Sequence, residues 1–84
     1  MSDYPSVTGK RLIKALLSNK YIEVKRMKGK RGKASHTMIR HPEDKTRATV
    51  VIDTKDDLKK GTLRSIRRQL KLSREEFIKI LQDC

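Results

Sequence analysis

The chain has no tryptophan, one phenylalanine and two tyrosines, so its core must be built from Leu, Ile, Val and Met. Its single cysteine, Cys84, is the last residue, which excludes an intrachain disulfide and a cysteine-rich zinc cluster. That usage fits a reducing cytoplasm. Long apolar runs are missing as well. The longest, Ala15 to Leu17 and Val50 to Ile52, are three residues each, against the roughly 20 of a membrane span and the about 7 of a signal-peptide core. The expectation is a soluble, cytoplasmic chain with no membrane partner. Four glycines, two prolines and no repeat leave no linker to divide the 84 residues. They read as one domain, with residues 1–7 a loose lead-in, and a two-domain enzyme is excluded.

Acids are the scarcest charge: 10 Asp and Glu face 22 Lys and Arg, a formal net charge of +12. Such an excess repels the compact state and is most often used to attract phosphate polyanions or an acidic protein. Nucleic acid is therefore the leading partner class.

Hydrophobic spacing predicts six elements. Thr8 caps a helix that presents Leu12, Ile13, Leu16 and Leu17 on one face and stops near Ser18 and Asn19. Tyr21 to Met27 alternates as a half-buried strand does. Ser35 to Arg40 and Arg47 to Ile52 form a hairpin turning at His41-Pro42-Glu43-Asp44. Thr62 caps a second helix with Leu63, Ile66 and Leu70 inward. In the third, Ser73 and Glu76 have capping-box spacing, and Phe77, Ile78 and Leu81 face the core. The order αβββαα gives an α+β domain, a three-stranded antiparallel sheet with helices packed on one face and the other face free.

Six of the nine residues from Lys25 to Lys33 are basic and none is acidic, and Gly29 and Gly32 allow close backbone approach to a ligand. Lys28, Lys30, Arg31 and Lys33 are the expected nucleic-acid contacts on this loop. Lys59, Lys60 and Arg64 form a second cluster at the start of the second helix, where free N–H groups favour a phosphate. Arg67, Arg68 and Lys71 read equally well as that helix's solvent face. A DNA-reading helix-turn-helix is disfavoured, because the last helix opens Arg74-Glu75-Glu76 and its acids would oppose DNA phosphates.

His36 lies where the basic loop becomes a strand, and imidazole is the side chain best suited to proton transfer near neutrality. Against RNA such a group can take the 2′-hydroxyl proton while nearby cations stabilise the phosphorane charge, a route that needs no metal. The bland alternative is a histidine that only touches phosphate. His41, before Pro42, reads as a turn residue. Ser35 points to the opposite face from His36, so the two are not a nucleophile–base pair; Ser35 is expected in a supporting or capping role and among the RNA contacts.

These residues together resemble a known family. Thr8-Gly9-Lys10 before Leu12 to Leu17, Ser35-His36 with Arg40-His41-Pro42, the Thr49-Val50-Val51 strand, and Leu58 to Leu63 with Ile66 and Ser73 to Phe77 are similar in order and spacing to the HicA toxins of HicAB toxin–antitoxin systems. The likeness runs over residues 8–81. It implies a small double-stranded-RNA-binding-domain-like fold, mRNA interferase activity without a cofactor or metal, His36 as the catalytic histidine, and inhibition by a HicB-type antitoxin that covers His36. Ala34 replaces the family's usual glycine, and Thr37 stands where a second histidine is frequent. A noncatalytic RNA-binding module, or a degenerate toxin that still binds an antitoxin, is the alternative from a different class.

Overall fold

A computed structural model of the chain describes residues 4–28 and 35–82. Among them the order is α1 (Gly9–Ser18), β1 (Ile22–Met27), β2 (Ser35–Arg40), β3 (Ala48–Asp53), α2 (Lys60–Gln69) and α3 (Arg74–Gln82). The strands form one antiparallel sheet in the order β1-β2-β3. This is the α+β, αβββαα arrangement that the periodicities predict. No helix of the described residues is long and apolar enough to cross a membrane.

The helices start and stop where the backbone's unpaired groups find partners. The Thr8 hydroxyl accepts from the Arg11 N–H at 3.2 Å, as expected of an N-cap. At the other end of α1, Lys20 adopts the left-handed φ of 72° while the Tyr21 N–H reaches back to the Leu16 carbonyl at 3.0 Å. That geometry satisfies the last carbonyls of α1 and swings Tyr21 into the core. Lys71 does the same after α2, with φ 55° and the Leu72 N–H on the Arg67 carbonyl at 3.1 Å. The α3 capping box forms as its spacing predicts: the Glu76 N–H donates to the Ser73 hydroxyl at 3.1 Å and the Ser73 N–H to Glu76 Oε1 at 3.3 Å. Glu76 is held below the ordinary carboxyl range by this side-chain and backbone bonding to Ser73.

Three local expectations are corrected. Thr62 does not cap α2, which begins at Lys60 with Lys59 at the cap position and no side-chain bond there. In α3 the inward residues are Phe77, Ile80 and Leu81, while Ile78 is half-buried, and in α1 Ala15 is inward while Leu17 is 41% exposed. β1 is not half-buried: all six residues are exposed, because the helices pack chiefly on the β3 side of the sheet and a bulge between Glu23 and Lys25 interrupts its register. The segment expected as a lead-in also contributes to the core. Val7 is buried, and the Tyr4 ring meets Phe77 edge-on at 5.7 Å between centroids.

One core joins the layers, drawing Leu12 and Leu16 from α1, Ile39 and Val51 from the sheet, Leu63 and Ile66 from α2, and Phe77 and Leu81 from α3. Two polar devices fasten it. Arg47, at the base of the β2–β3 turn, donates from Nε to the Leu70 carbonyl at 2.6 Å and from a terminal nitrogen to the Lys71 carbonyl at 3.1 Å. A cation there also opposes the negative end of the α2 dipole. At the front of α1, Gly9 lies so close to the end of β3 that a Cβ would collide with the Ile52 carbonyl oxygen.

Candidate nucleic-acid interface

Strand alternation decides which side of the sheet each residue serves. On β2, Thr37 and Ile39 are buried, and their partners Val51 and Thr49 on β3 are buried with them, so the odd-numbered positions face the helices. His36, Met38 and Arg40 therefore face away. Their cross-strand partners Ile52, Val50 and Ala48 on β3, and Met27, Lys25 and Ile22 on β1, lie on the same open side.

His36 is thus half-buried at one end of an uncovered platform, between Met27 on one side and Ile52 on the other. Ile22, Met27, Val50 and Ile52 are 36–40% exposed there, an unusual concentration of large apolar side chains on the surface of a chain this charged. Lys25, opposite Met38, and Arg40, opposite Ile22, bring cations to the same face. Apolar bodies against which bases can pack, beside cations for phosphates, are what a single-stranded nucleic acid uses. The companions of His36 were not singled out from the sequence. Counting two and four residues on from His36 would have found Met38 and Arg40, but the β1 partners depend on a bulged register that no local pattern announces.

The remaining site candidates divide. Lys28 is exposed at the end of β1, one residue beyond Met27. Lys30, Arg31 and Lys33 lie outside the described residues, as does Ala34. Ser35 is half-buried and pairs with Asp53 on the helix side, so it is not beside His36. Thr37 is fully buried against the helices and equally out of reach. Lys59, Lys60 and Arg64 belong to the opening of α2, in the helical layer behind the sheet. The structure does not bring them together with His36.

His41 is a turn residue, as expected. Its Nδ1 accepts the Glu43 and Asp44 N–H groups at 3.1 and 3.0 Å, which places the neutral ring's proton on Nε2. Tyr21 meets its ring edge-on at 5.5 Å, and burial raises the Tyr21 phenol above its ordinary pKa, opposed by the charge of Arg47. Among the described residues no three His, Cys, Asp or Glu side chains converge as a metal site would require.

The family described as HicA toxin of bacterial toxin-antitoxin systems matches residues 9–72, a span that holds α1, the whole sheet with His36, and α2. The chain belongs to the HicA toxin family. No curated protein and no solved structure gives a significant match. As a HicA family member the chain is the toxin of a toxin–antitoxin system, which implies an antitoxin partner. HicA toxins are generally endoribonucleases.

Proposed function

We propose that this HicA family member is a metal-independent mRNA interferase that cleaves RNA on the open face of its sheet with His36 as general base or acid. The observation that supports this most is the position of His36. Among the described residues it is the one imidazole on that face, in a strand held from both sides, on a platform of Met27, Met38, Val50 and Ile52 flanked by Lys25 and Arg40. In the forward step the imidazole takes the 2′-hydroxyl proton, the oxygen bonds to the adjacent phosphorus, and the bond to the 5′-oxygen breaks as that oxygen gains a proton. The products are a 2′,3′-cyclic phosphate and a 5′-hydroxyl end. Lys25, Lys28 and Arg40 carry the cationic charge nearest to that surface, with Lys30, Arg31 and Lys33 next to it in sequence, and Ser35 supports the strand start. A cytoplasmic HicB-type antitoxin that covers this face would inhibit by occlusion, and a basic toxin would capture an acidic partner rapidly at low salt.

One observation favours the noncatalytic alternative. Among the described residues, the open face offers no carboxylate and no second imidazole as a partner for His36. The test is product chemistry. A deoxy strand holding one ribonucleotide, incubated with antitoxin-free protein in EDTA, should be cut only at that ribonucleotide, leaving a cyclic phosphate and a 5′-hydroxyl. Cleavage of the all-deoxy strand, or a 5′-phosphate product, contradicts the mechanism, and binding without cleavage establishes the RNA-binding module instead.

A further inference from the structure

The two outer strands of the sheet present different edges. β1 is blunted against pairing: it carries Glu23, Lys25 and Arg26, and the bulge between Glu23 and Lys25 breaks its register. β3 has no such device. From Ala48 to Ile52 it holds no charge and no proline, it is rich in β-branched residues, and its register against β2 is regular throughout.

The alternation of the ladder fixes which backbone groups of β3 lie on that edge. The His41 N–H donates to the Arg47 carbonyl at 2.8 Å, so the 41–47 pair is hydrogen-bonded, and by the two-residue repeat of an antiparallel ladder Thr49, Val51 and Asp53 also bond toward β2. Ala48, Val50 and Ile52 therefore turn their N–H and C=O groups away from β2. The Ile52 carbonyl fixes the same phase independently, since it accepts the Thr54 N–H at 2.9 Å and lies against Gly9 at the start of α1. That contact closes the edge at Ile52. Before it, the N–H and C=O groups of Ala48 and Val50 have no hydrogen-bond partner among the described residues.

We propose that the antitoxin docks by adding a β-strand with acidic side chains to the Ala48–Val50 edge of β3. This deepens the inhibition reading above and rests on it. Donors and acceptors repeating every two residues are matched by another strand. RNA phosphates can only accept, which would leave the Ala48 and Val50 carbonyls unpaired. A second copy of this chain also offers a strand, but it brings a second charge of +12 to the contact, whereas the same charge, with Lys45 and Arg47 just before β3, favours an acidic strand. The shortness of the edge limits pairing between copies and leaves much of the affinity to the open face. Position serves inhibition as well. Val50 and Ile52 are the cross-strand partners of Met38 and His36, so a strand added to β3 lies two strand spacings, about 10 Å, from the strand of His36. The partner's chain has only that distance to cross to cover the platform.

The test is amide hydrogen exchange of the full-length toxin, alone and in complex with its antitoxin. Alone, the Ala48 and Val50 amides should exchange at least about 100-fold faster than those of Thr49 and Val51; in the complex they should slow by about 100-fold or more. Ala48→Pro removes one outward N–H at the first residue of the strand, where proline is tolerated, and should weaken the complex about tenfold or more with Tm nearly unchanged. Ala48→Ser keeps that N–H and should change affinity by less than about twofold. The proposal is overturned if the two amides are already slow in the free toxin, if they stay fast in the complex, or if a folded Ala48→Pro variant binds as wild type does. Amides that slow only as the toxin alone is concentrated overturn it too, and assign the edge to a second copy. An inhibited complex in which Ala48 and Val50 stay fast refutes strand pairing and leaves occlusion of His36 standing, whereas the absence of any complex removes both.

Discussion

Replacing Gly9 with alanine should disconnect the helical layer from the sheet at one atom. The added methyl runs into the Ile52 carbonyl oxygen, which belongs to the end of β3 and cannot swing away like a side chain. That carbonyl already accepts the Thr54 N–H at 2.9 Å, and the Thr54 carbonyl accepts the Lys10 N–H at 3.1 Å, so the strand end and the first turn of α1 are locked to each other. Relief requires α1 to shift, and α1 carries Leu12, Ile13, Ala15 and Leu16 into the core. Overpacking of this kind costs about 1–3 kcal/mol, and a lost Lys10–Thr54 bond about 0.5–1.5 kcal/mol more. Alanine's better helix propensity returns about 0.5–1 kcal/mol. The net loss is about 0.5–4 kcal/mol, a sizeable part of the roughly 4–13 kcal/mol that a domain of 84 residues possesses. Thermal denaturation followed by circular dichroism should show a fall in Tm of about 2–30 °C. Gly61→Ala is the control, because Gly61 is also in the first turn of a helix but nothing lies within 4 Å of its would-be Cβ. It should raise Tm slightly. Equal or raised Tm for both variants would refute the close-approach argument.

Other consequences are open to similar measurement. Lys71→Gly should stabilise the chain by up to about 1 kcal/mol, because Lys71 holds a left-handed φ of 55° that glycine adopts without a steric penalty; a lower denaturant midpoint would contradict this. Arg47→Met should lower the unfolding free energy by about 2 kcal/mol, read as a lower denaturant midpoint, since it removes the partner of the Leu70 and Lys71 carbonyls, and an unchanged midpoint would show the clamp to be idle. Acid stability has a defined direction too. Bonds from the Thr46 hydroxyl and N–H hold Asp44 below the ordinary carboxyl range, as Ser73 does for Glu76, so each carboxylate stabilises the fold. That contribution is complete above the unfolded pKa and is lost as pH falls through the lowered folded value. Asp44→Asn and Glu76→Gln should flatten the acid limb of the stability profile, and a limb left equally steep in the double variant would refute it.

Much of the fold was legible because its signals are local. The bounds of β2, the Thr8 cap, and the Ser73–Glu76 box each depend on residues within a few positions of one another. The placement of His36 on an open face follows from alternation alone once helices are assigned to the other side. What escaped the sequence depends on distant partners. Arg47 grips carbonyls 23 and 24 residues away. β1 reads as half-buried because its alternation carries no information that the helices pack chiefly on the β3 side of the sheet. Ile80 rather than Ile78 packs inward because the phase of α3 is set by its packing on α1, and the turns at Lys20 and Lys71 lack the glycine that normally marks them.

The most direct test of the central claim compares wild type with His36→Ala in single-turnover cleavage of a labelled RNA, with affinity for an uncleavable 2′-O-methyl analogue and Tm measured on both. His36 lies outside the core, so fold and affinity should change little, while the cleavage rate should fall about 10²–10⁴-fold, the range for a lost general acid or base. An unchanged rate, or a fall in rate matched by an equal fall in affinity, would contradict the assignment of catalysis to His36.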